Sequence, residues 1–238
     1  MLGSGVVVNV VGIVVGGLVG LGAGRLVSER FQRTLMQASA LVVIFLGLGG
    51  SLAKMLRVTP DGTLDFVGMN MMVASLILGA LVGEAIDIED RMTTFGEWLK
   101  RRAGSADDAQ FVDAFVTTSL TVCIGAMAVI GPINDRLLGE PMILYIKSVL
   151  DFIIVLLLTT TLGRGCIFSA LSVGLFEGAI FLFAGLLEPV MTPAAQANLS
   201  YVGNILIFCV GVNLLWNLGI RVANLLPALV IAIAWAWW

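Results

Sequence analysis

The chain has 238 residues, 59% hydrophobic and 12% charged, with a formal charge of −3. A soluble domain is about 45–50% apolar and about 25% charged, so this chain lacks the polar coat that a globule of its size needs in water, and lipid is the remaining solvent. Its charge is too small for a nucleic-acid partner, and with no histidine present, Ser-His-Asp, Cys-His and histidine-ligated metal chemistry are excluded.

A membrane-crossing helix takes about 20 mostly apolar residues. Eight windows qualify, near 5–24, 34–53, 66–86, 114–131, 142–163, 166–187, 200–220 and 222–238. They predict an all-α, polytopic bundle of seven to eight helices over 1–238, a single membrane domain whose first partner is the lipid bilayer. The first window has no charge between Gly5 and Gly24, lacks a basic n-region and runs directly into Arg25. That pattern reads as a retained helix rather than a cleaved signal peptide. Gly16, Gly20 and Gly24 repeat every four residues, as do Gly79 and Gly83 in the third window. Small residues at that spacing let helices approach until their backbones touch, either within one chain or between copies, so a homo-oligomer joined through these faces is expected.

An internal echo runs through the same positions. Gly16-Gly17-Leu18-Val19-Gly20 before Glu29-Arg30 resembles Gly79-Ala80-Leu81-Val82-Gly83 before Asp90-Arg91. Phe45-Leu46-Gly47-Leu48 likewise rhymes with Cys123-Ile124-Gly125-Ala126 and with Cys209-Val210-Gly211-Val212. Duplication of this kind is common among transporters, and here it would be parallel. Gly125 and Gly211 join the expected packing glycines.

The longest polar stretch, about 87–113, holds Lys100-Arg101-Arg102 and is too short to be a domain. Alternate connections carry nine basic residues (Arg25, Arg30, Arg33, Arg91, Lys100, Arg101, Arg102, Arg164, Arg221) against four elsewhere (Lys54, Arg57, Arg136, Lys147). Basic residues concentrate on the cytoplasmic side, which makes 87–113 cytoplasmic and puts the N-terminus outside. The last window holds Pro227 near its start and ends Ala-Trp-Ala-Trp-Trp, which suits a headgroup-level aromatic anchor.

Ionisable residues inside apolar windows carry more information. A charged side chain at the bilayer centre costs about 2.5–3.5 kcal/mol on insertion scales, so it faces the bundle interior or water. Asp151 and Lys147 share one face of the fifth window, four residues apart, and Glu177 sits mid-way along the sixth. These are a structural ion pair with a neutral glutamate, or a transport or proton-relay site. Glu84 and Asp87 lie near the cytoplasmic end of the third window, where Asp87 is placed to pair with Arg91. Asn134 and Asp135 follow Gly131-Pro132 as a turn, or as part of an outer vestibule. Asn213 and Asn217 share a helical face, with Asn204 opposite; such amides bond helices together or line a polar path. Cys123, Cys166 and Cys209 are isolated, which points to packing rather than disulfides or metal binding. No phosphate-binding glycine motif is present, and no enzyme activity, metal or cofactor is expected.

The run Gln110-Phe111-Val112, Ser119-Leu120, Cys123 through Gly131, then Leu144, Lys147-Ser148, Leu150-Asp151 and Gly163 resembles the signature of the bacterial YdfK/YqgA-like domain-of-unknown-function family. Asn9, Gly16-Gly17 and Gly20 at the start, and Asn224-Leu225-Leu226-Pro227-Ala228-Leu229 at the tail, are similar too. The resemblance covers essentially the whole chain and implies a polytopic bacterial inner-membrane protein. Glutamate at 177 departs from the family's usual glutamine, which shifts weight toward Lys147 and Asp151. The leading expectation is transport of a small solute or cation through the plasma (inner) membrane, with Asp151 as the coupling group. A homo-oligomeric ion channel and a non-transporting structural or accessory subunit are the alternatives.

Overall fold

The computed structural model describes residues 3–24, 29–105, 107–124 and 127–237. Arg25, Gly125, Ala126 and Trp238 lie outside the described residues. Eleven helices are described: α1 (Ser4–Gly24), α2 (Glu29–Met55), α3 (Met69–Ile86), α4 (Ile88–Arg102), α5 (Phe111–Cys123), α6 (Met127–Leu137), α7 (Met142–Leu162), α8 (Ser169–Leu182), α9 (Ala184–Leu187), α10 (Pro193–Trp216) and α11 (Pro227–Ala234). One short antiparallel hairpin, β1 (Leu56–Val58) with β2 (Leu64–Phe66), joins α2 to α3, with Leu56 opposite Phe66.

Among the described residues, six helical segments are long and apolar enough to cross a bilayer: α1, Met36–Met55 of α2, α3, α7, the stretch Arg164–Leu182 that includes α8, and α10. The fourth window is not one straight helix. α5 and α6 meet at 59°, with Ile124 extended between them, and the pair makes a seventh crossing if read as one span. The eighth window is shorter than a span. Val222–Trp237 falls in the 10–17-residue class, built from two 3₁₀ turns around α11. Nearly all of 222–238 is apolar, but the arginine-side connection after α10 uses its first residues as a turn, which leaves too few helical residues to cross.

Glycine sets the helix directions. A Cβ on Gly5, Gly12, Gly16, Gly20 and Gly24 of α1 would meet Leu144, Ser148, Phe152, Leu156 and Thr160 of α7 in that order, so the two helices run parallel. At Gly16 and Gly20 the atom met is a backbone carbonyl oxygen, a contact no side chain could allow. α2 and α10 run antiparallel, with Gly47 against Asn204 and Phe208 and Gly211 against Ile44. α3 sets Gly79 against Ala228 and Gly83 against Asn224, so the C-terminal segment folds back along it. The expected packing glycines Gly16, Gly20, Gly24, Gly79, Gly83 and Gly211 therefore pack against this chain's own helices. The sequence echo is not repeated in packing either, since Gly16 and Gly20 meet a parallel partner and Gly79 and Gly83 an antiparallel one.

These directions give the bundle two ends. The hairpin and the N-terminus of α1 mark one; the C-terminus of α1, α4 and most of the described arginines mark the other. The expected 87–113 connection is largely α4, whose Gly96 and Leu99 pack on Val112 and Phe115 of α5. Phe95 and Trp98 stack on its outer face at 5.6 Å, with Arg102 lying over Trp98. Amphipathic aromatics beside basic residues suit a headgroup layer. Glu89 and Asp90 in its first turn and Lys100, Arg101 and Arg102 in its last complement the helix dipole.

Candidate functional site

Four helices bring one buried polar cluster together, about 8–14 Å inside the hairpin end at the helical rise per residue. Lys147 and Asp151 project from one face of α7 and form an ion pair. The Lys147 ammonium also donates to the Val122 carbonyl of α5 at 2.7 Å and lies 3.5 Å from Glu177 Oε1 of α8. From α1, Asn9 Nδ2 donates to the same Oε1 at 2.9 Å. Asn9 and Glu177 are both 0% exposed, and Lys147 and Asp151 are 5% and 4% exposed.

The break between α5 and α6 explains why a lysine is held here. The last carbonyls of a helix have no intrahelical partner and carry the negative end of its dipole. α5 stops at Cys123, with the Ile124 N–H bonded back to Leu120. The Val122 carbonyl, near that end, takes its donor from Lys147. Non-helical backbone at membrane depth is tolerated where protein buries it or where it lines a cavity, and discontinuous helices of this kind hold substrates and ions in transporters.

The cluster is over-supplied with acceptors. One base faces two carboxylates, and Asn9 Oδ1 and Glu177 Oε2 have no hydrogen-bond partner among the described residues. Toward the arginine-rich end, hydroxyls follow on three of these helices, α5, α7 and α8. Ser119 of α5 donates to Ser172 of α8 at 3.0 Å, and the hydroxyls of Thr118, Thr159 and Ser169 are buried, the first two beside the Cys166 thiol. Below them lies a cavity of about 520 Å³, walled by Glu89, Asp113, Asn213 and Asn217 among others. Its wall rises along α5 to Leu120, two residues short of Val122, and among the described residues includes no lysine or arginine although it opens at the basic end. Lys147 and Asp151 do not line it.

The other expected site residues lie apart from this cluster. Glu84 and Asp87 bind Arg221, and Asn224 donates to Glu84 Oε2 at 2.7 Å. The expected Asp87–Arg91 pair does not form, because Asp87 takes a left-handed conformation as the cap between α3 and α4, while Arg91 donates to the Ile86 carbonyl. Glu89, half-buried beside them, has its carboxyl pushed above the usual range by burial, against the Ala223 N–H and Arg221. Asn213 spends its amide on Ile220, as donor at 2.7 Å and acceptor at 3.0 Å, and Asn217 ends α10 with φ +50°. Both still edge the large cavity. Asn204 donates to Ser200 within its own helix. Asn134 lines a 320 Å³ cavity at the hairpin end. Asp135 does not belong to a vestibule: it is 0% exposed and accepts from the Gly3 and Gly5 N–H groups, where the positive end of α1 needs an anion.

Asn9 and the hydroxyls are the functional candidates that reasoning from residue chemistry passes over. Asn9 has a signal, as the only polar residue between Gly5 and Gly24. The Val122 carbonyl has none, because a backbone acceptor becomes available only where the helix stops.

The model of the family described as "Protein of unknown function (DUF554)" matches residues 4–237. The chain is 27% identical over 227 residues to the "Uncharacterized membrane protein YdfK" of Bacillus subtilis (strain 168), covering 95% of this chain and 93% of that protein. It is 25% identical over 243 residues to the "Uncharacterized protein YqgA" of Escherichia coli (strain K12), covering 97% of each. No solved structure matches.

Proposed function

The chain belongs to the DUF554 family of proteins of unknown function, and from that premise we propose that it moves a small solute or cation across the bacterial plasma membrane. One observation carries this reading: a lysine and two carboxylates are buried together at the break of a discontinuous helix. Ionisable groups at membrane depth are expensive and concentrate on substrate and proton pathways. The hydroxyls on α5, α7 and α8 and the cation-favouring cavity supply a polar route toward the arginine-rich end. Excess carboxylate favours a cationic or zwitterionic solute over an anion. The basic residues orient the arginine-rich end to the cytoplasm and the N-terminus outside. In this arrangement the pair is closed to the large cavity, so the cycle includes a second state in which water reaches Asp151.

The competing reading is a structural staple, and the sealing of Lys147 from that cavity favours it. A channel lined by the motif glycines finds less support, since those glycines face this chain's own helices. Purified protein in proteoliposomes, read by solid-supported-membrane currents against a panel of small organic cations and zwitterions, separates the readings. Transport predicts a solute-dependent current in wild type that Asp151→Asn abolishes while the variant remains folded. Equal currents in the two proteins, or none in wild type, would leave the staple.

A further inference from the structure

Resting on the transport reading, we propose that Glu177 and Asn9 form a proton-binding site, with one proton bridging Glu177 Oε2 and Asn9 Oδ1, and that this proton is exchanged for the cationic solute. The two side chains come from different helices, are 0% exposed and are already joined along one edge, Asn9 Nδ2 to Glu177 Oε1 at 2.9 Å. The atoms left over are mismatched in chemistry: Oδ1 and Oε2 are both acceptors, and neither has a partner among the described residues. Two buried lone-pair atoms without a donor are costly in a medium with no water. A single proton on Oε2 converts the mismatch into a cyclic acid–amide pair and satisfies both atoms.

Charge leads to the same place. The groups that act on Glu177 are Lys147 and Asp151 from α7, Asn9 from α1 and the Cys123 thiol from α5. Lys147 and Asp151 cancel, so an ionised Glu177 would leave one uncompensated negative charge among apolar helices. A metal cation fits poorly. Hard cations take about six or more oxygen ligands, whereas the cluster offers Asn9 Oδ1 and Glu177 Oε2 as its buried oxygens without a partner. No group of three or more metal-binding side chains occurs among the described residues.

The exchange balances simply. The Glu177 O–H bond breaks, and the proton leaves toward the arginine-rich end by way of the hydroxyls. The carboxylate then faces Lys147, already 3.5 Å from Oε1. The negative charge so created is neutralised by a cation arriving at the cluster. Reprotonation expels that cation and restores the ring.

Infrared difference spectroscopy of the protein in lipid nanodiscs, stepped through pH, tests the site. Wild type should show a protonated-carboxyl C=O band that decays as pH rises. Glu177→Gln, whose amide N–H can replace the proton in the ring, should lose that band and keep the wild-type Tm. Asn9→Leu should retain the band at a frequency shifted by the lost hydrogen bond. A wild-type spectrum without a titrating carboxyl band, a band that persists in Glu177→Gln, or a Tm for Glu177→Gln as low as that of Glu177→Ala overturns the proposal. Should the band be present while proteoliposomes give no solute current, the proton site stands and the transport reading falls. Currents that ignore pH in a protein without the band would instead remove the proton site and leave transport standing.

Discussion

Two clusters in this protein have the same composition at different depths. Lys147 with Asp151, Glu177 and Asn9 is buried, whereas Arg221 with Asp87, Glu84 and Asn224 sits at the arginine-rich end. Each has one base, two carboxylates and an amide that donates to one of them, at 2.9 Å in the first and 2.7 Å in the second. The side chains of Lys147, Asp151 and Glu177 are 7%, 6% and 0% exposed, whereas those of Arg221, Asp87 and Glu84 are 41%, 50% and 59% exposed. At the surface, water solvates the surplus negative charge and the second amide atom finds a partner, since Asn224 Oδ1 accepts from the Glu89 N–H at 2.8 Å. In the interior neither happens. The same balance of base, carboxylates and amide thus makes a solvated clasp in one place and a charge-frustrated site in the other, and depth separates them.

Lys147→Met tests the difference most severely. Removing one partner of a buried pair strands a charge, with a typical cost of about 3–5 kcal/mol. Here the Asp151 carboxylate and the Val122 carbonyl lose their donor together. Equilibrium unfolding in mixed micelles should show that loss, and a change as small as that of a surface variant would erase the contrast between the clusters.

Glu89, at the half-buried edge of the outer cluster, should show an intermediate effect. Burial holds its carboxyl above the ordinary 4.5, so the folded chain binds this proton more tightly than the unfolded one. The stability linked to it is therefore complete below about pH 4.5 and is lost as pH rises through the raised value. Tm profiles of wild type and Glu89→Gln should show the variant gaining on wild type from acid toward neutral pH. Parallel profiles would mean that Glu89 is as solvated as its neighbours.

Arg221→Gln should have the smallest effect. Exposed ion pairs contribute little and are screened by salt, so its Tm should stay close to wild type and any difference should shrink with added salt. A large loss that resists salt would show that the C-terminal turn depends on this arginine as the interior depends on Lys147.

Much of the architecture is legible in the residues. The apolar windows locate six crossing segments and the sequence of the seventh, and the spacing of Lys147 and Asp151 places them on one face. Glu177 stands out as a buried acid on the next crossing segment. The partner of Asp87 is not legible, because Arg221 is 134 residues away along the chain and Arg91 is on the next turn. Nor is the length of the last helix, because hydropathy does not distinguish a 3₁₀ turn at Val222–Leu225 from the first turn of a span. Asp135 escapes for a related reason: after Gly131-Pro132 it reads as a turn residue, but it lies within α6, and the helix end it caps is brought to it only by folding.

By itself the sequence determined the solvent, the helical class and the set of ionisable residues that lipid would force inward, because these follow from composition and from short-range periodicity along one chain. Only the tertiary structure decided which helix each glycine meets, where the fourth span breaks, and that Asn9 and Glu177 join at one edge and leave two acceptors facing no donor. The glycine partners and the Asn9–Glu177 edge depend on the docking of segments more than a hundred residues apart, and a hydrogen bond is decided by tenths of an ångström and by direction, neither of which residue order encodes locally.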